Sequence, residues 1–268
     1  MLQYAPNDWN RRKVLDIFQA IIIGIIEGFT EFLPISSTGH MIVASRMMEI
    51  PQSTLIKAYE VIIQLAAILA VMIVYREKIT FKKIDLWRKL LVAFLPLAIV
   101  GFIFKDVIKA LFSLKIVAIM FIVGGVIFLL VEYFYDEKKS SISKVEDITY
   151  KEALIIGFAQ LFSFIPGTSR AGATIVGGLL CGLDRKSAAE FSFLLAIPVM
   201  GAVSGYDLLK HYQAFSSIDF LPFFVGFVVA FVVAYLTIKL FLAFLSRFTF
   251  VPFGIYRILF GLLLLLLL

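Results

Sequence analysis

The chain has 268 residues, of which 61% are hydrophobic and 16% are charged; this composition excludes an ordinary soluble domain and indicates an integral membrane protein. The net charge of +6 comes from cations in short loops between apolar segments, so nucleic acid is not an expected partner. One cysteine, Cys181, and two distant histidines, His40 and His211, exclude an internal disulfide and a cysteine-based zinc site.

Six apolar segments are long enough to cross a membrane as helices, which takes about 20 residues each. Charged stretches such as 76–89 and 135–147 separate several of them. The expected spans lie near 57–75, 88–104, 115–134, 186–205, 220–244 and 250–268.

Two further apolar regions, 14–50 and 151–182, are interrupted near the middle by Pro, Gly, Ser and Thr. Lipid cannot satisfy the polar groups of non-helical backbone, so each region is predicted to form a re-entrant helix–loop–helix packed inside the protein. Glu27 and Glu31 interrupt the first region and no cleavage site follows it. We therefore interpret it as mature protein and not as a signal peptide, despite three preceding basic residues, Arg11, Arg12 and Lys13.

The two interrupted regions resemble each other. Aligning Pro34 with Pro166, a spacing of 132, places two hydroxyl residues over two others, Ser36-Ser37 over Thr168-Ser169. Three predicted spans separate the regions, so the halves, about 14–134 and 151–268, should have opposite orientations within one polytopic membrane domain. A chance similarity between short apolar strings is the alternative. The expected fold is an all-α integral membrane protein with about six transmembrane helices, two re-entrant segments and an inverted-topology repeat.

The segment EGFTEFLPISSTGH (27–40) places two acids in an apolar helix. Glu27 and Glu31 are four residues apart, so both carboxylates lie on one helical face. Intramembrane acids usually face a polar cavity, a counter-charge or an ion. A pair that simply reaches interfacial water is the alternative.

Three hydroxyl residues and a histidine follow in the same segment. Ser36, Ser37 and Thr38 precede a helix whose first N–H groups favour an anion, although N-capping alone explains any single hydroxyl. His40 lies three residues beyond Ser37 and is expected on the same helical face. Its imidazole could transfer a proton or attack phosphorus, and a packing role is the alternative.

The segment PGTSRAGAT (166–174) contains an arginine in an otherwise apolar region. The planar guanidinium of Arg170 matches phosphate oxygens in two-point contact, and a buried salt bridge to Glu27 or Glu31 is the alternative. Small and hydroxyl residues around it are expected to close around an oxyanion, namely Gly167, Ser169, Gly172 and Thr174. The two segments together predict a phosphate site inside the membrane, held from both sides.

These two segments, with YEVIIQLAAILAV (59–71) and EFSFLLAIP (190–198), resemble the undecaprenyl-diphosphate phosphatase family, the bacterial bacitracin-resistance phosphatases. The resemblance covers nearly the whole chain and includes VPFGIYR (251–257). The chain departs from the family pattern at Ala171, where the family usually has Ser, so a hydroxyl there cannot be essential in this protein.

The resemblance implies an integral protein of the bacterial inner membrane that removes the terminal phosphate of undecaprenyl diphosphate. That reaction regenerates the lipid carrier used for peptidoglycan and other wall polymers, and raised enzyme levels confer bacitracin resistance. The expected partners are the polyprenyl diphosphate and membrane lipid, and a homodimer is left open. The resemblance also implies a divalent cation as cofactor.

The residues leave the mechanism open. Ser37 or His40 could attack phosphorus, or Glu31 or His40 could activate water. Glu27 and Glu31 are the candidate ligands of a divalent ion, Mg²⁺ or Ca²⁺, or else they position the base. The candidate catalytic set is therefore Glu27, Glu31, Ser37, His40 and Arg170.

The basic loops indicate an orientation. Segments 76–89 and 135–152 carry six and four Lys or Arg, which favours the cytoplasmic side for both, although the basic residues at 11–13 argue the other way. On this orientation the first interrupted region opens towards the outer leaflet.

Two other function classes compete with a phosphatase. Inverted repeats, a mid-membrane arginine and paired acids are also features of transporters, so a transporter or flippase for an anion or lipid phosphate is the main alternative. Such a protein would release no inorganic phosphate. A membrane scaffold is the third reading, and it would tolerate the combined loss of Glu27, Glu31 and Arg170.

Overall fold

The protein was analysed as a computed structural model, which describes residues 15–51, 53–210 and 220–268. Four residues named above lie outside these ranges, namely Arg11, Arg12, Lys13 and His211. Within the described ranges the chain consists of helices and loops, with one isolated bridge between Ile142 and Leu183. This confirms the all-α prediction for that part of the chain.

Eleven α-helices follow one another along the described residues. The first six are α1 (Ile17–Thr30), α2 (Ser37–Met47), α3 (Thr54–Val74), α4 (Ile84–Ile103), α5 (Lys105–Ala110) and α6 (Leu114–Phe134). The others are α7 (Tyr150–Gln160), α8 (Arg170–Leu180), α9 (Arg185–Lys210), α10 (Phe220–Leu245) and α11 (Val251–Leu266).

Five of these helices, α3, α4, α6, α9 and α10, are long and apolar enough to cross a membrane. They correspond to five of the six predicted spans and confirm a multi-span membrane protein. The sixth predicted span, 250–268, contains α11, which has 16 residues and is about 24 Å long. It is therefore shorter than expected, and a proline in its first turn, where a missing N–H is tolerated, fixes where it begins.

The first interrupted region folds as a helical hairpin of α1 and α2. α1 begins after Asp16, which forms a capping box with Gln19. The Gln19 side-chain amide donates a hydrogen bond to the carbonyl of Met48 at 3.3 Å. The start of α1 and the end of α2 therefore lie at the same end of the bundle, as expected for a re-entrant segment.

The second interrupted region, α7 and α8, also folds as a helical hairpin. α7 begins after Thr149, which forms a capping box with Glu152. After α8 the carbonyl of Gly182 accepts a hydrogen bond from the backbone N–H of Ser141 at 3.0 Å. Both ends of this hairpin thus lie beside the charged loop 135–147.

The two hairpins enter the bundle from opposite ends. The charged loops meet where Glu146 pairs with Lys78 at 3.4 Å and with Lys83 at 3.1 Å. α3 ends beside these loops and has 21 residues, about 32 Å of helix. Its start, next to the end of α2, therefore lies at the other end. The first hairpin opens there and the second opens at the charged end, as the odd number of intervening spans predicts.

Helix contacts are matched between the two halves. α1 packs on α10 as α7 packs on α4, and α3 packs on α10 as α9 packs on α4. α3 packs against α9, and α6 packs against α11. These matched contacts support the predicted repeat. The division of the chain into two halves stays a prediction.

The register of the two loops differs from the one expected. The left-handed residues Ser36 and Ser169 each precede the second helix of their hairpin, and their spacing is 133, whereas the prolines suggested 132. The loop after Pro166 contains one residue more than the loop after Pro34. Ser37 therefore corresponds to Arg170, so the matched positions carry a hydroxyl in one hairpin and a guanidinium in the other.

Small residues hold α1 tightly against α10. A Cβ on Gly28 would lie 2.6 Å from the carbonyl oxygen of Ala230, and one on Gly24 would lie 2.8 Å from that of Gly226. Such close backbone contact is typical of helix pairs in membranes. This close packing fixes the position of α1 and therefore of Glu27 and Glu31 at its C-terminal end.

Candidate active site

The tips of the two hairpins line one cavity of about 240 Å³. The first hairpin contributes Glu31, Ser36, Ser37 and Thr38, and the second contributes Gly167, Ser169 and Arg170. Gln64 of α3, which the sequence-based prediction did not include, also lines the wall; the available signal was a lone amide inside the apolar span 57–75. The N-termini of α2 and α8 therefore border the same space, which suits an anion.

Strained backbone marks both tips. Ser36 and Ser169 have φ angles of 70° and 74°, a region that residues other than glycine rarely adopt and that often occurs at functional sites. The Ser169 hydroxyl accepts a hydrogen bond from the backbone N–H of Gly172 at 3.0 Å. Gly167 has a φ of +95°, and a Cβ there would lie 2.5 Å from the carbonyl oxygen of Val117.

A carboxylate joins the two hairpins at the cavity wall. Glu31 accepts a hydrogen bond from the Ser37 hydroxyl at 2.5 Å and an ion-pair contact from the Arg170 guanidinium at 2.9 Å. The salt bridge considered as an alternative for Arg170 is thus present, but all three groups also line the cavity. A hydroxyl, a carboxylate and a cation are therefore assembled around one space.

Arg170 retains capacity for a further ligand. Its Nη1 donates to the Ser192 carbonyl at 3.0 Å, while its Nε is buried without a hydrogen-bond partner. Thr174 is buried behind it, where its hydroxyl bonds to the Ser192 hydroxyl at 2.7 Å and to main-chain carbonyls of α8.

Gly172 and Thr174, both expected to contact diphosphate, do not line the cavity in this conformation. Gly172 donates its N–H to Ser169, and Thr174 supports the segment that holds Arg170. Direct binding by these two residues stays a prediction that the geometry does not support. Both residues instead brace the cavity wall from behind.

Glu27 lies one turn before Glu31 and is fully buried, outside the cavity lining. Neither of its carboxylate oxygens has a hydrogen-bond partner. An unpartnered buried carboxylate is costly unless a cation or proton is bound, so Glu27 fits the metal-ligand role that the sequence suggested. Among the described residues no three His, Cys, Asp or Glu side chains come together as a metal site, so further ligands would have to come from substrate or water.

His40 faces away from the cavity. Its Nδ1 contacts the Ser36 carbonyl at 2.8 Å, its Nε2 contacts the Tyr256 hydroxyl at 2.6 Å, and its ring stacks on Phe260. Residues three apart differ by about 60° around a helix, so this spacing agrees with a position on the Ser37 side of α2, but the His40 ring packs on α11 and does not line the cavity. The packing alternative fits these contacts, and a catalytic role for His40 stays a prediction.

Arg257, which is fully buried in α11, was not among the residues predicted from the sequence. Its guanidinium donates to the carbonyls of Pro34 and Gly167, both at 2.9 Å, and it also bonds to the main chain of α6. One side chain thus connects the tips of both hairpins. The signal available in the sequence was a lone arginine inside the apolar segment 251–257, since intramembrane charges are usually functional.

These observations define a class of protein: a polytopic membrane protein whose two opposed helical hairpins enclose a small cavity lined by a serine, a glutamate and an arginine. The chain belongs to the family described as bacitracin resistance protein BacA, whose model matches residues 20–263. The match covers both hairpins and all candidate site residues.

Similar proteins carry a consistent name. The chain is 71% identical to an undecaprenyl-diphosphatase of Sulfurovum sp. (strain NBC37-1), over 95% of this chain and 100% of that protein. It is 64% identical to an undecaprenyl-diphosphatase of Sulfurimonas denitrificans, over 94% and 99% of the two chains. An undecaprenyl-diphosphatase of Methanococcus aeolicus is 53% identical over 94% of this chain and 98% of its own length.

Proposed function

We infer that the protein hydrolyses undecaprenyl diphosphate to undecaprenyl phosphate and inorganic phosphate. The observation that carries this inference is the contact of Ser37 and Arg170 with the same carboxylate, Glu31, inside the membrane domain. Membership of the BacA family and the name shared by its close relatives support it. The product is the lipid carrier used in cell-wall synthesis, and the activity accounts for bacitracin resistance.

Recognition of the diphosphate follows from the charges around the cavity. Arg170 supplies a guanidinium, and the N-termini of α2 and α8 supply partial positive charge and free N–H groups. The Ser36 and Thr38 hydroxyls are available for hydrogen bonds to phosphate oxygens. These groups would stabilise the charge that develops on the transferred phosphoryl group.

Ser37 is the nucleophile that the geometry favours. In the proposed reaction its Oγ attacks the terminal phosphorus while the hydroxyl proton passes to Glu31. The bond from that phosphorus to the bridging oxygen breaks, and undecaprenyl phosphate leaves with the proton from Glu31. The regenerated carboxylate then deprotonates a water that attacks the phosphoserine, the bond from phosphorus to Oγ breaks, and inorganic phosphate leaves as Glu31 returns the proton to Ser37. Direct attack by water activated by Glu31 is the alternative, and His40 enters neither route because both its ring nitrogens are engaged elsewhere.

A divalent cation, Mg²⁺ or Ca²⁺, belongs to the proposal. Glu27 and Glu31 are the proposed ligands, and Glu27 offers two carboxylate oxygens that have no other partner. On the route in which Glu31 accepts the Ser37 proton, Glu27 would hold the ion together with the diphosphate. When bound, the ion would neutralise charge on the diphosphate oxygens.

We propose that this chemistry takes place at the outer leaflet of the bacterial inner membrane. α9 runs from Arg185, whose guanidinium pairs with Glu132 at 2.5 Å beside the charged loops, to Met200 and Val203 at the cavity. The cavity thus lies towards the end of the bundle opposite the basic loops. Because basic loops favour the cytoplasm, the cavity would face outward.

The test is phosphate release from undecaprenyl diphosphate by detergent-purified protein, with and without EDTA. We expect release that EDTA abolishes and that added Mg²⁺ or Ca²⁺ restores. Phosphate release without a metal ion would show that the reaction needs no divalent cation, while the proposed phosphatase activity would stand. No release from well-folded protein would overturn the function and favour the transporter.

A further inference from the structure

An apolar groove adjoins the polar cavity and opens between α4 and α9. Its volume is about 490 Å³, within the range of about 300–1,000 Å³ of ordinary ligand pockets. Phe94 and Ala98 line one wall, Ala202 and Tyr206 line the other, and one charged residue, Lys105 of α5, also lines the groove. The Phe102 and Tyr206 side chains are largely exposed, so the groove opens on the side of the protein that faces lipid.

The groove and the cavity share part of their walls. Leu97, Phe164 and Val203 line both spaces. The ring of Phe164, from the turn Leu161–Phe164, packs against the backbone of Gly101, where an added Cβ would lie 2.9 Å from its Cζ atom. Phe164 therefore forms an apolar partition with the wet cavity on one side and the groove on the other.

The two long helices that line the groove each contain a proline close to it. Pro96 lies inside α4 and Pro198 lies inside α9. A proline inside a helix removes one backbone hydrogen bond and favours a bend. Pro96 and Pro198 lie at comparable positions in α4 and α9, two helices that the matched helix packing relates. A bend at these prolines therefore permits the groove to open.

A second opening from the same cavity has the opposite character. It is lined by Lys57, Glu60 and Asp207, and it shares Gln64 and Val203 with the cavity. Charged walls suit water and phosphate, but they would be costly to leave beside a hydrocarbon chain. The groove has one charged lining residue, Lys105, against three in this second opening. Of these spaces, the groove between α4 and α9 is therefore the more suitable exit for an apolar group attached to a phosphate in the cavity.

We propose that this groove binds the first isoprene units of the substrate's prenyl chain, with Phe164 separating the chain from the diphosphate. The proposal rests on the proposed function, since it assigns the apolar part of that substrate. A chain bound here continues into the surrounding lipid, so the groove needs to hold only its beginning. Because lipid is as apolar as the groove, the contact gives alignment of the diphosphate more than binding energy.

The test uses protein variants that narrow the groove and substrates that differ in the length of the prenyl chain. Ala202→Trp fills one wall and Ala98→Phe fills the other. Ala243→Trp, at an exposed position of α10 outside these spaces, is the matched control. Phosphate release is measured with diphosphates that carry a methyl group, a farnesyl chain or an undecaprenyl chain. The methyl compound, which has no isoprene unit, is also measured as a competitive inhibitor, so that its binding is known even where it is not hydrolysed.

We expect each groove variant to lower kcat/KM for the two prenyl substrates about tenfold, while kcat/KM for the methyl compound changes little and the control variant changes neither. Equal losses for all chain lengths, or no loss in either variant, would overturn the groove assignment. Absence of release by the wild type from every substrate would instead overturn the proposed function. If one groove variant does not fold, the variant on the opposite wall still tests the groove assignment.

Discussion

The hydroxyl of Ser37 donates a hydrogen bond of 2.5 Å to the carboxylate of Glu31. The other oxygen of this carboxylate accepts a contact from Arg170 at 2.9 Å, so one acidic side chain joins the tips of two hairpins that enter from opposite ends. A serine activated by an adjacent base is the usual form of a hydroxyl nucleophile. The account of the site depends on this contact.

Replacement of Ser37 is the first prediction. Ser37→Ala should lower kcat by about 10³-fold or more, because removal of a nucleophile leaves only binding and charge stabilisation. Steady-state phosphate release measures the effect, and Ser45→Ala, a buried serine of the same helix outside the cavity, is the control. A Ser37→Ala enzyme with more than about a tenth of wild-type kcat would exclude a phosphoserine and support water activated by Glu31.

Replacement of His40 separates the structure from the sequence-based expectation. Both ring nitrogens contact groups outside the cavity, the Ser36 carbonyl and the Tyr256 hydroxyl. His40→Gln should therefore lower thermal stability and keep kcat within about tenfold of wild type, well short of the loss of about 10²–10⁴ expected for a general base.

The control for this prediction is Tyr256→Phe, which removes the same hydrogen bond from the other side. The two variants should lower Tm by similar amounts. A loss of kcat in His40→Gln as large as that in Ser37→Ala, with kcat of Tyr256→Phe unchanged, would show that the imidazole takes part in the reaction.

Arg257 gives a third prediction. Its guanidinium bonds to the Pro34 and Gly167 carbonyls and is fully buried. Arg257→Met leaves these carbonyls without donors, which costs on the order of 1–3 kcal/mol for each buried group. We expect a lower Tm together with loss of phosphate release.

Arg257→Lys distinguishes positioning from stability alone. A lysine keeps the charge but cannot present the planar fork that reaches both loops. It should regain part of the Tm without regaining kcat, whereas the exposed Arg247→Lys should change neither. Full recovery of kcat in Arg257→Lys would show that charge alone suffices.

Gly167 gives a fourth prediction. Its φ of +95° disfavours any side chain, and a Cβ there would lie 2.5 Å from the Val117 carbonyl oxygen. Gly167→Ala should therefore displace the loop that carries Ser169 and Arg170, and lower Tm by several degrees. Gly201→Ala, where a Cβ meets no atom within 4 Å, should leave Tm within a degree or two. Equal Tm values for the two variants would contradict this account of the loop.

Much of the fold could be predicted from the sequence because the signals are strong and local. Apolar segments of about 20 residues and loops rich in charge gave the spans, and paired Pro and Ser gave the two hairpins. Their opposed entry followed from counting three spans between them. Close packing such as Gly28 on α10 depends on which helices are neighbours, and that was not readable from the sequence.

The site was predictable where chemistry alone decides and unpredictable where backbone geometry decides. Glu31, Ser37 and Arg170 are unusual residues in apolar surroundings, and the structure brings them together. The direction of His40 depends on the rotation of α2 against α11. Ser36 and Ser169 adopt left-handed conformations that serine rarely takes, so no residue preference indicated them.

The most direct test of the central claim, that this cavity binds and hydrolyses a lipid diphosphate, compares phosphate release by wild type and Arg170→Ala. Exposed Arg46→Ala in α2 is the control for loss of a cation. The account predicts that wild type and Arg46→Ala release phosphate from undecaprenyl diphosphate equally, while Arg170→Ala loses about 10²–10³-fold in kcat. A folded Arg170→Ala protein that releases phosphate at nearly the wild-type rate would contradict it.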